Sequence, residues 1–485
     1  MSVFPSIWKH AKVVPLLKKG DPLIPKNYRP VALLPIFSKI LERVVFNQLV
    51  TYFDSNGLIH PNHHGSRSGH STTTALIQMY DSWVEEVDVG NMVGVMMVDL
   101  SAAFDMVDYQ LLLQKLELFG LDKEALSWMG SYLIGRKQSV FVDGSLSPPL
   151  GIECGVPQGS ILGPLMYILY TNDIPDLPHD HPVSVAQPVP YCHDCGGTVC
   201  YVDDSTYSLA RSDPEALSSA LTYQYQVIAD YMAANRLVIN GEKTHLLVLG
   251  NRSMDEKRKL VTLKAGTHTI VPSKVEKLLG CMVSDNLKWR DHILNGEQSM
   301  VKQLRSRVNA LAIISSRGDF NTKLITANGI VMSKLCYLIQ LWGGCEGYLL
   351  HALQVLLNKA ARLVTGYSRF TSTRRLMDSC RWLSVKQLIA YQSIVMIHKT
   401  IHTRRPHYLH SRLNLEFDYG TRQQSSGCIR FDQTYRYKGD LPKNSFRVRG
   451  TISYNSIPAE IRSSLTMATF KSRLKNWILT NISLE

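Results

Sequence analysis

Two adjacent carboxylates, Asp203 and Asp204, constrain the fold of this chain more than any other feature. β-prone stretches flank them at 197–200 and 205–209, which predicts a hairpin with the aspartates at its tip. Neighbouring negative charges at a strand end repel each other, so a cation is expected close by, and a divalent metal ion is the natural candidate. For an isolated pair, an ordinary Asp-rich turn is the favoured alternative, because Asp is common in turns.

A third carboxylate, Asp99, follows the apolar stretch 92–98, which is typical of a buried strand. Enzymes that contain such sheets often place their chemistry at the C-terminal ends of strands. Asp99 is therefore placed where a functional residue is often found. Further on, Asp105 is expected to cap a helix over 111–118.

Strand and helix patterns are mixed over the first 285 residues, whereas the rest is mostly helical. A helix is predicted from Ile36, with Ile40 and Val44 on its apolar face. The other predicted elements are strands at 8–17 and 246–249, a hairpin turning at 143–144, and helices at 214–235, 291–316, 320–345, 348–366, 384–403 and 468–479. These patterns predict an α+β protein.

Charge is unevenly spread along the 485 residues, whose formal net charge is +13. Residues 301–485 hold 28 Lys and Arg against 9 Asp and Glu, whereas residues 1–300 hold 25 against 31. A basic half beside an acidic candidate site indicates a polyanionic ligand such as nucleic acid, although a solvated basic surface would also explain the charge alone.

Composition also indicates where the protein resides. No apolar run approaches the roughly 18–20 residues of a membrane span, and the first residues lack the pattern of a signal peptide. The nine cysteines are scattered through a long chain, as is typical of reduced thiols. We therefore expect a nuclear or cytoplasmic protein that is neither secreted nor bound in a membrane.

Several short sequence motifs occur along the chain in one particular order. Together they make the chain resemble the reverse transcriptases of LINE-type (non-LTR) retrotransposons. They are Asp99, Phe104-Asp105, Gly155-Val156-Pro157-Gln158-Gly159-Ser160, Tyr201-Val202-Asp203-Asp204 and Lys243. Because they occur together, a metal site at the Asp pair now outweighs the turn-only alternative.

The segments that flank this series resemble the same family. Asn27-Tyr28-Arg29-Pro30 and residues 38–43 are similar to its first fingers motif, and residues 66–73 to the next, although Ser66 stands where an aromatic residue is usual. The resemblance is specific over residues 8–285 and looser over 286–480.

The resemblance implies a right-hand polymerase fold with fingers, a palm built on an antiparallel sheet, a helical thumb and a mostly helical tail. The expected division is partial fingers at 1–90, palm at 91–285 with an inserted loop at 174–200, thumb at 286–370 and a basic C-terminal region at 371–485. Elements of this family usually carry an endonuclease upstream, and nothing in this sequence resembles one. An N-terminally truncated piece is therefore expected.

The activity implied by the resemblance is RNA-directed DNA synthesis from dNTPs on an RNA template and a DNA primer. Two Mg²⁺ ions would be held by Asp99, Asp203 and Asp204, with Asp203 the main ligand of the pair. Two alternatives stay open: a catalytically inactive nucleic-acid-binding remnant, and, less favoured, an intron-encoded splicing cofactor. The oligomeric state cannot be deduced from the sequence.

The resemblance also assigns roles around the metal site. Phe104 would be a steric gate against a ribose 2′-OH, with core packing as the alternative. The other implied roles are nucleotide and template contact by Gln158 and Gly159, triphosphate binding by Arg29 and Lys39, proton donation by Lys243, template contact by Arg67, and a primer-gripping hairpin at Gly280. The basic region after residue 300 would bind the template–primer duplex through its phosphates.

The inserted loop carries a second candidate metal site. His179, His181, Cys192 and Cys195 together offer the ligand types of a tetrahedral Zn²⁺ site. A loop with incidental cysteines is the favoured alternative, because the spacing matches no standard zinc pattern.

Overall fold

Thirteen strands lie in the described residues of the computed structural model, which are 3–18, 20–177, 197–316, 318–413 and 438–483. In chain order they are β1 His10–Leu17, β2 Tyr28–Leu33, β3 Met92–Val98, β4 Arg136–Val142, β5 Ser145–Leu146, β6 Leu150–Ile152, β7 Thr198–Tyr201, β8 Asp204–Arg211, β9 His245–Leu249, β10 Leu263–Ala265, β11 His268–Ile270, β12 Val275–Leu278 and β13 Cys281–Ser284. They form two larger sheets and two hairpins.

Twenty α-helices lie in the same part of the chain. They are α1 Ile36–Ser55, α2 Thr72–Val89, α3 Tyr109–Leu118, α4 Lys123–Leu133, α5 Gly163–Tyr170, α6 Pro214–Ala234, α7 Asp255–Leu260, α8 Arg290–Ile293, α9 Met300–Ser315, α10 Phe320–Ala327, α11 Ser333–Cys336, α12 Ile339–Trp342, α13 Gly347–Thr365, α14 Thr373–Cys380, α15 Val385–Thr403, α16 His407–Arg412, α17 Asp440–Lys443, α18 Phe446–Asn455, α19 Ala459–Arg462 and α20 Met467–Asn481. None of these helices is long and apolar enough to cross a membrane.

The central sheet is antiparallel, in the order β7-β8-β3-β9, and is buried on both faces. Along β3, Val93 and Val95 point into the core that contains α2, whereas Met96 and Val98 point into the core that contains α6. Because β3 is buried on both sides, its sequence is an unbroken run of apolar residues. The strand predicted before Asp99 is confirmed.

The outer sheet joins segments that are distant in sequence. β1 pairs with β2 antiparallel and with β4 parallel, and β5 and β6 extend it from β4. The β4–β5 hairpin turns at Asp143 and Gly144, as predicted, and both residues have positive φ. The range 136–152, which the sequence placed within the palm, thus lies in one sheet with β1 and β2.

One hydrophobic core connects the back of the central sheet to the C-terminal helices. It contains buried residues of α2, α9, α13, α15 and α20. The helices predicted at 291–316 and 320–345 are interrupted: the first is split into α8 and α9, and the second breaks at Leu338, whose φ is 57°. The last predicted helix is confirmed as α20, with Phe470, Leu474 and Ile478 buried.

Two local predictions were wrong. On α1, Ile36 and Ile40 are 76% and 55% exposed, and the side chains buried instead include Ser38 and Glu42. Asp105 does not cap the next helix, because Asp108 accepts the capping hydrogen bond, from Leu111 N at 2.9 Å.

Candidate active site

The Asp pair lies at a tight and strained turn. β7 and β8 pair up to Tyr201 and Asp204, so Val202 and Asp203 are the whole connection. Val202 has a φ of 60°, a left-handed conformation that is strongly disfavoured for a β-branched residue. In a two-residue hairpin that position usually belongs to glycine. Strain of this kind is retained where the surroundings hold it and is common at functional sites.

Asp99 joins the pair from the neighbouring strand. β3 pairs with β8 up to Val98 and Ser205, so the register places Asp99 beside Asp204. The backbone of Asp99 is held by a hydrogen bond from Asn240 N to its carbonyl, at 2.8 Å. The structure therefore brings together the three carboxylates that the sequence singled out.

The electrostatics of Asp204 show that the three carboxylates influence one another. Desolvation, followed by the charges of Asp203 and Asp99, raises the pKa of Asp204 to about 6. Lys18, at the end of β1, acts in the opposite direction. A like-charge cluster of this kind is stabilised by a cation. The basic turn after β1 was visible in the sequence, but its approach to Asp204 was not.

Lys243 reaches the same cluster from a short 3₁₀ helix, Gly241–Lys243. Its Nζ lies 3.1 Å from Asp99 Oδ2, so an ammonium group neutralises one of the three carboxylates. Among the residues that the structure describes, no group of three or more His, Cys, Asp or Glu is arranged to hold a metal ion. The donors are nevertheless hard carboxylate oxygens that suit Mg²⁺, provided that Asp99 exchanges Lys243 for the metal.

The predicted nucleotide residues lie on a loop beside Asp105. Gln158 Nε2 donates to both carboxylate oxygens of Asp105, at 3.1 and 3.0 Å. Ala32 N of the outer sheet donates to Gln158 O at 2.8 Å, and Gly159 lies against the Ala32 carbonyl. Phe104 is half-buried, with its ring 5.0 Å from that of Tyr167. Its partial exposure is compatible with a gate, and its ring contact with packing.

Glu42 is a functional candidate that sequence reasoning missed. It is fully buried, and its Oε2 accepts hydrogen bonds from Ile161 N at 2.8 Å and Leu162 N at 3.3 Å. Ser38 donates to its Oε1 at 2.9 Å. These contacts connect α1 to the loop that carries Gln158. The available signal was a Ser and a Glu four residues apart on a helix, which alone does not identify a distant partner.

The two residues predicted to bind the triphosphate lie on separate elements. Arg29 is exposed on β2, opposite Leu16 of β1, and Lys39 is half-buried in the first turn of α1. Neither side chain has a hydrogen bond or ion pair to another described residue. Both groups are therefore available for an anionic ligand.

Arg67 has a structural role in this conformation. Its Nη1 donates to the carbonyls of His60 at 2.8 Å and His63 at 3.0 Å. Burial lowers the pKa of the guanidinium, and its Nε is buried without a hydrogen-bond partner among the described residues. Template contact by Arg67 stays a prediction.

Gly280 lies where the sequence predicted, in the turn of the β12–β13 hairpin. Leu279 and Gly280 have φ values of 46° and 78°, the pattern of a two-residue type I′ turn. Tyr337 OH donates to Leu279 O at 2.6 Å, which attaches the turn to the C-terminal helices. The four candidate zinc ligands of the 174–200 insert lie outside the described residues.

Part of the basic C-terminal half is engaged internally. Arg405 pairs with Asp54 at 3.0 Å, and Glu85 pairs with Arg412 at 3.2 Å and with Arg447 at 2.8 Å. These contacts fasten the segment around α16 to α1 and α2, and α18 to α2.

The connection between α13 and α14 and the first turn of α14 differ, because their charges face solvent. Arg369 lies over the ring of Phe370, which is 82% exposed, and Arg375 lies over Tyr367. Arg369, Arg374 and Arg375 form no ion pair with a described residue.

An antiparallel central sheet with aspartates at the tip of one hairpin, flanked by a strand-rich layer and a helical layer, defines a right-hand polymerase of α+β class. Residues 16–290 match the family model described as "Reverse transcriptase (RNA-dependent DNA polymerase)", which is more than half of the chain. The chain belongs to this family, and the resemblance drawn from the motifs is confirmed.

Relatives with curated descriptions are mobile-element proteins. The RNA-directed DNA polymerase from mobile element jockey of Drosophila funebris is 27% identical over 372 residues, which cover 76% of this chain and 39% of that protein. The Pol polyprotein from type-1 retrotransposable element R1 of Bradysia coprophila is 24% identical over 415 residues, covering 85% of this chain and 36% of that protein. The chain thus spans about two fifths of the length of these relatives.

Among solved structures, telomerase from Candida tropicalis in complex with a fragment of telomeric RNA is similar with a TM-score of 0.45 and 9% sequence identity. The match covers 98% of this chain and 64% of that one.

Proposed function

We propose that this chain is the RNA-directed DNA polymerase segment of a LINE-type retrotransposon, and that it extends a DNA primer with dNTPs on an RNA template. The observation that carries the proposal is the convergence of Asp99, Asp203 and Asp204 at one strained hairpin, in a chain of the reverse transcriptase family. In this interpretation the central sheet is the palm, the outer sheet with α1 is part of the fingers, and α9–α13 contribute the thumb.

The three aspartates would hold two Mg²⁺ ions, with Asp203 as the main ligand of the pair. When bound, such ions supply neutralisation of the charge that develops during phosphoryl transfer. Asp99 becomes available as a ligand once Lys243 releases it. The raised pKa of Asp204 agrees with a weaker role for that residue, because its ionised form is disfavoured without a cation.

Residues of the outer sheet and α1 would bind the triphosphate. Arg29 and Lys39 present cations without internal partners among the described residues, and Lys18 adds a third charge that already reaches Asp204. Cations at these positions neutralise an anionic substrate and orient it for attack. Lys243 would donate a proton to the departing pyrophosphate from beside Asp99.

The sugar and base would contact the Phe104 and Gln158 side of the site. A ring at Phe104 would exclude a ribose 2′-OH, and its contact with Tyr167 would hold it in place. Gln158 and Gly159 would line the surface for nucleotide and template, with Asp105 orienting the Gln158 amide.

The duplex would be held further along the chain. The Gly280 turn would contact the primer, and the exposed Arg369, Arg374 and Arg375 would contact phosphates. Zinc binding by the 174–200 insert remains a proposal that metal analysis tests, with Cys192→Ser/Cys195→Ser as the control; zinc retained by this variant contradicts it. The protein would act in the nucleus or the cytoplasm.

Primer extension on an RNA template with Mg²⁺ tests the proposed function, with Asp203→Asn as the matched control. Extension by the wild type that the variant lacks supports a polymerase. Equal and negligible extension by both would favour the catalytically inactive, nucleic-acid-binding alternative, which a binding assay with the same template–primer then tests.

A further inference from the structure

The catalytic turn contains strain that needs an external restraint. A left-handed residue other than glycine is strained and persists only where its neighbours hold it. Val202 is such a residue, and it immediately precedes Asp203. The direction in which Asp203 points therefore depends on what contacts Val202.

The restraint comes from the edge of the central sheet. β7 is the edge strand, and residues 62–64 pair with its free side. His64 N donates to Cys200 O at 2.8 Å, and Cys200 N donates to Asn62 O at 3.0 Å. Residues 62–65, which we name the bracing loop, thus act as a short additional strand beside the catalytic hairpin.

Gly65 ends the bracing loop directly against the strained residue. A Cβ at Gly65 would overlap the Val202 side chain and would lie 2.9 Å from Val202 N. Its φ lies outside the left-handed region, so space rather than conformation requires glycine at this position. Only a residue without a side chain lets the loop pack on Val202 this closely.

The bracing loop is itself held firmly. His63 Nε2 lies 3.1 Å from Thr171 O, and His64 Nδ1 lies 3.0 Å from Thr74 Oγ1. Burial lowers the pKa of His63 and of His64 to about 3, so both rings stay neutral at physiological pH. The C-terminal segment supports the loop from behind, because Tyr408 OH donates to Thr74 O at 2.7 Å.

We propose that the bracing loop is a positioning element of the polymerase site, and that Gly65 allows it to fix Val202, and through it the Asp203 carboxylate, in place. Gly65 is a positioning residue, since it contacts neither substrate nor metal in this scheme. The inference rests on the proposed function for its catalytic consequence. Its structural part is independent of that function.

The test compares two alanine substitutions that flank the same hairpin. Gly65→Ala introduces the clash, whereas Gly197→Ala, before β7, places a Cβ 3.7 Å from Asn62 Nδ2, an ordinary contact. We expect Gly65→Ala to lower the single-turnover rate of nucleotide addition by about 10²-fold, the scale for a misplacement near 1 Å, and to raise the half-saturating Mg²⁺ concentration. Template–primer affinity should stay within about twofold of the wild type for both variants, because phosphate contacts dominate it.

A second variant makes the result independent of simple destabilisation. Val202→Gly removes the overlapping side chain, tolerates the positive φ and lets the backbone at residue 202 move away from the new Cβ, which would otherwise lie 2.9 Å from its nitrogen. Gly65→Ala/Val202→Gly should therefore recover part of the rate. If Gly65→Ala does not fold, a folded and active double variant still supports the proposal, and an unfolded one overturns it. A folded Gly65→Ala with the wild-type rate and Mg²⁺ dependence overturns it as well, as does an equal loss in Gly197→Ala.

Mn²⁺ binding, measured by electron paramagnetic resonance, separates failure of this inference from failure of the proposed function. If the wild type does not extend primers, the proposed function fails, and the inference is judged on Mn²⁺ alone. Binding that Asp203→Asn and Gly65→Ala weaken, and Gly197→Ala does not, supports the bracing role. Binding that Gly65→Ala leaves unchanged overturns it.

Discussion

Lys243 Nζ donates to Asp99 Oδ2 at 3.1 Å, so the protein supplies its own cation to a carboxylate that would hold a metal ion. Both side chains are about half exposed, which makes the ion pair weak and exchangeable. In the proposed polymerase, the pair would compete with Mg²⁺ without excluding it.

Lys243→Ala tests two proposed roles of Lys243, as a proton donor and as the ion-pair partner of Asp99. Removal of a proton donor should lower the rate of nucleotide addition by about 10²-fold, at the lower end for general acid catalysis. Release of Asp99 should lower the half-saturating Mg²⁺ concentration by about twofold to fivefold, in keeping with a weak surface ion pair. Single-turnover kinetics across a Mg²⁺ titration measure both, and an unchanged rate would remove the proton-donor role.

Asp99→Asn and Asp203→Asn should each reduce primer extension by at least about 10³-fold, because the removed charge stabilises the transition state. Neither change should lower the melting temperature, since each relieves repulsion among like charges. Extension assays and thermal unfolding of the same preparations test this. A large drop in melting temperature would mean that the aspartates stabilise the fold instead.

Glu42→Ala should disturb the loop that carries Gln158 and Gly159, because Glu42 accepts hydrogen bonds from the residues that follow this loop. It leaves Ile161 N and Leu162 N buried without an acceptor, at a cost of about 2–4 kcal/mol for the two groups together. We expect a lower melting temperature and a higher KM for dNTP. Glu117→Ala, on α3, is a control that should change neither quantity. Wild-type KM in a destabilised Glu42→Ala would limit Glu42 to a structural role.

Arg369→Ala and Arg374→Ala should weaken template–primer binding and reduce its salt dependence. Removing one protein–phosphate interaction lowers the slope of log affinity against log salt by about one. The matched control is Arg405→Ala, because that side chain is paired with Asp54. The control should lower the melting temperature and leave the slope unchanged. Binding titrations at low to moderate salt concentrations measure this slope. An unaltered slope for Arg369→Ala and Arg374→Ala would mean that the duplex does not contact these arginines.

Asp81 on α2 should make stability depend on pH. Both of its carboxylate oxygens are buried without a hydrogen-bond partner among the described residues, and desolvation raises its pKa from 3.8 to about 7. The folded state thus keeps a proton that the unfolded chain has released, and stability falls as pH rises through that window. Between pH 5 and pH 7 the fall in stability attributable to Asp81 is about 2 kcal/mol.

Asp81→Asn removes this dependence. Its stability relative to the wild type should therefore improve as pH rises, by an amount that thermal unfolding at pH 5 and pH 8 measures. A constant difference between the two proteins across this range would show that Asp81 is ionised in the fold at both values.

Features governed by neighbours in sequence were predictable. The β7–β8 hairpin, the strand before Asp99 and the β12–β13 hairpin follow from the β-preferences of their strand residues. The left-handed φ of Val202 does not follow from them. The motif order then identified the family, which no single element could do.

Features set by distant partners were not predictable. The hydrophobic periodicity predicted the helix α1 but not which of its faces is buried. Glu42 is buried because it forms hydrogen bonds to residues over 100 positions away in the sequence. The pairing of β4 with β1 was not predicted either, because strand pairing across a long connection leaves no local sequence pattern. Asp105 was misassigned because Asp108, three residues later, offered an equally good cap.

The core shared by α2, α9, α13, α15 and α20 limits how far the C-terminal helices can move relative to the central sheet. Any swing of α9 and α13 away from the central sheet would expose apolar side chains that are buried in this common core. Large opening and closing is thus disfavoured. In the proposed polymerase, a bound duplex would therefore face a helical surface that keeps its position relative to the aspartates.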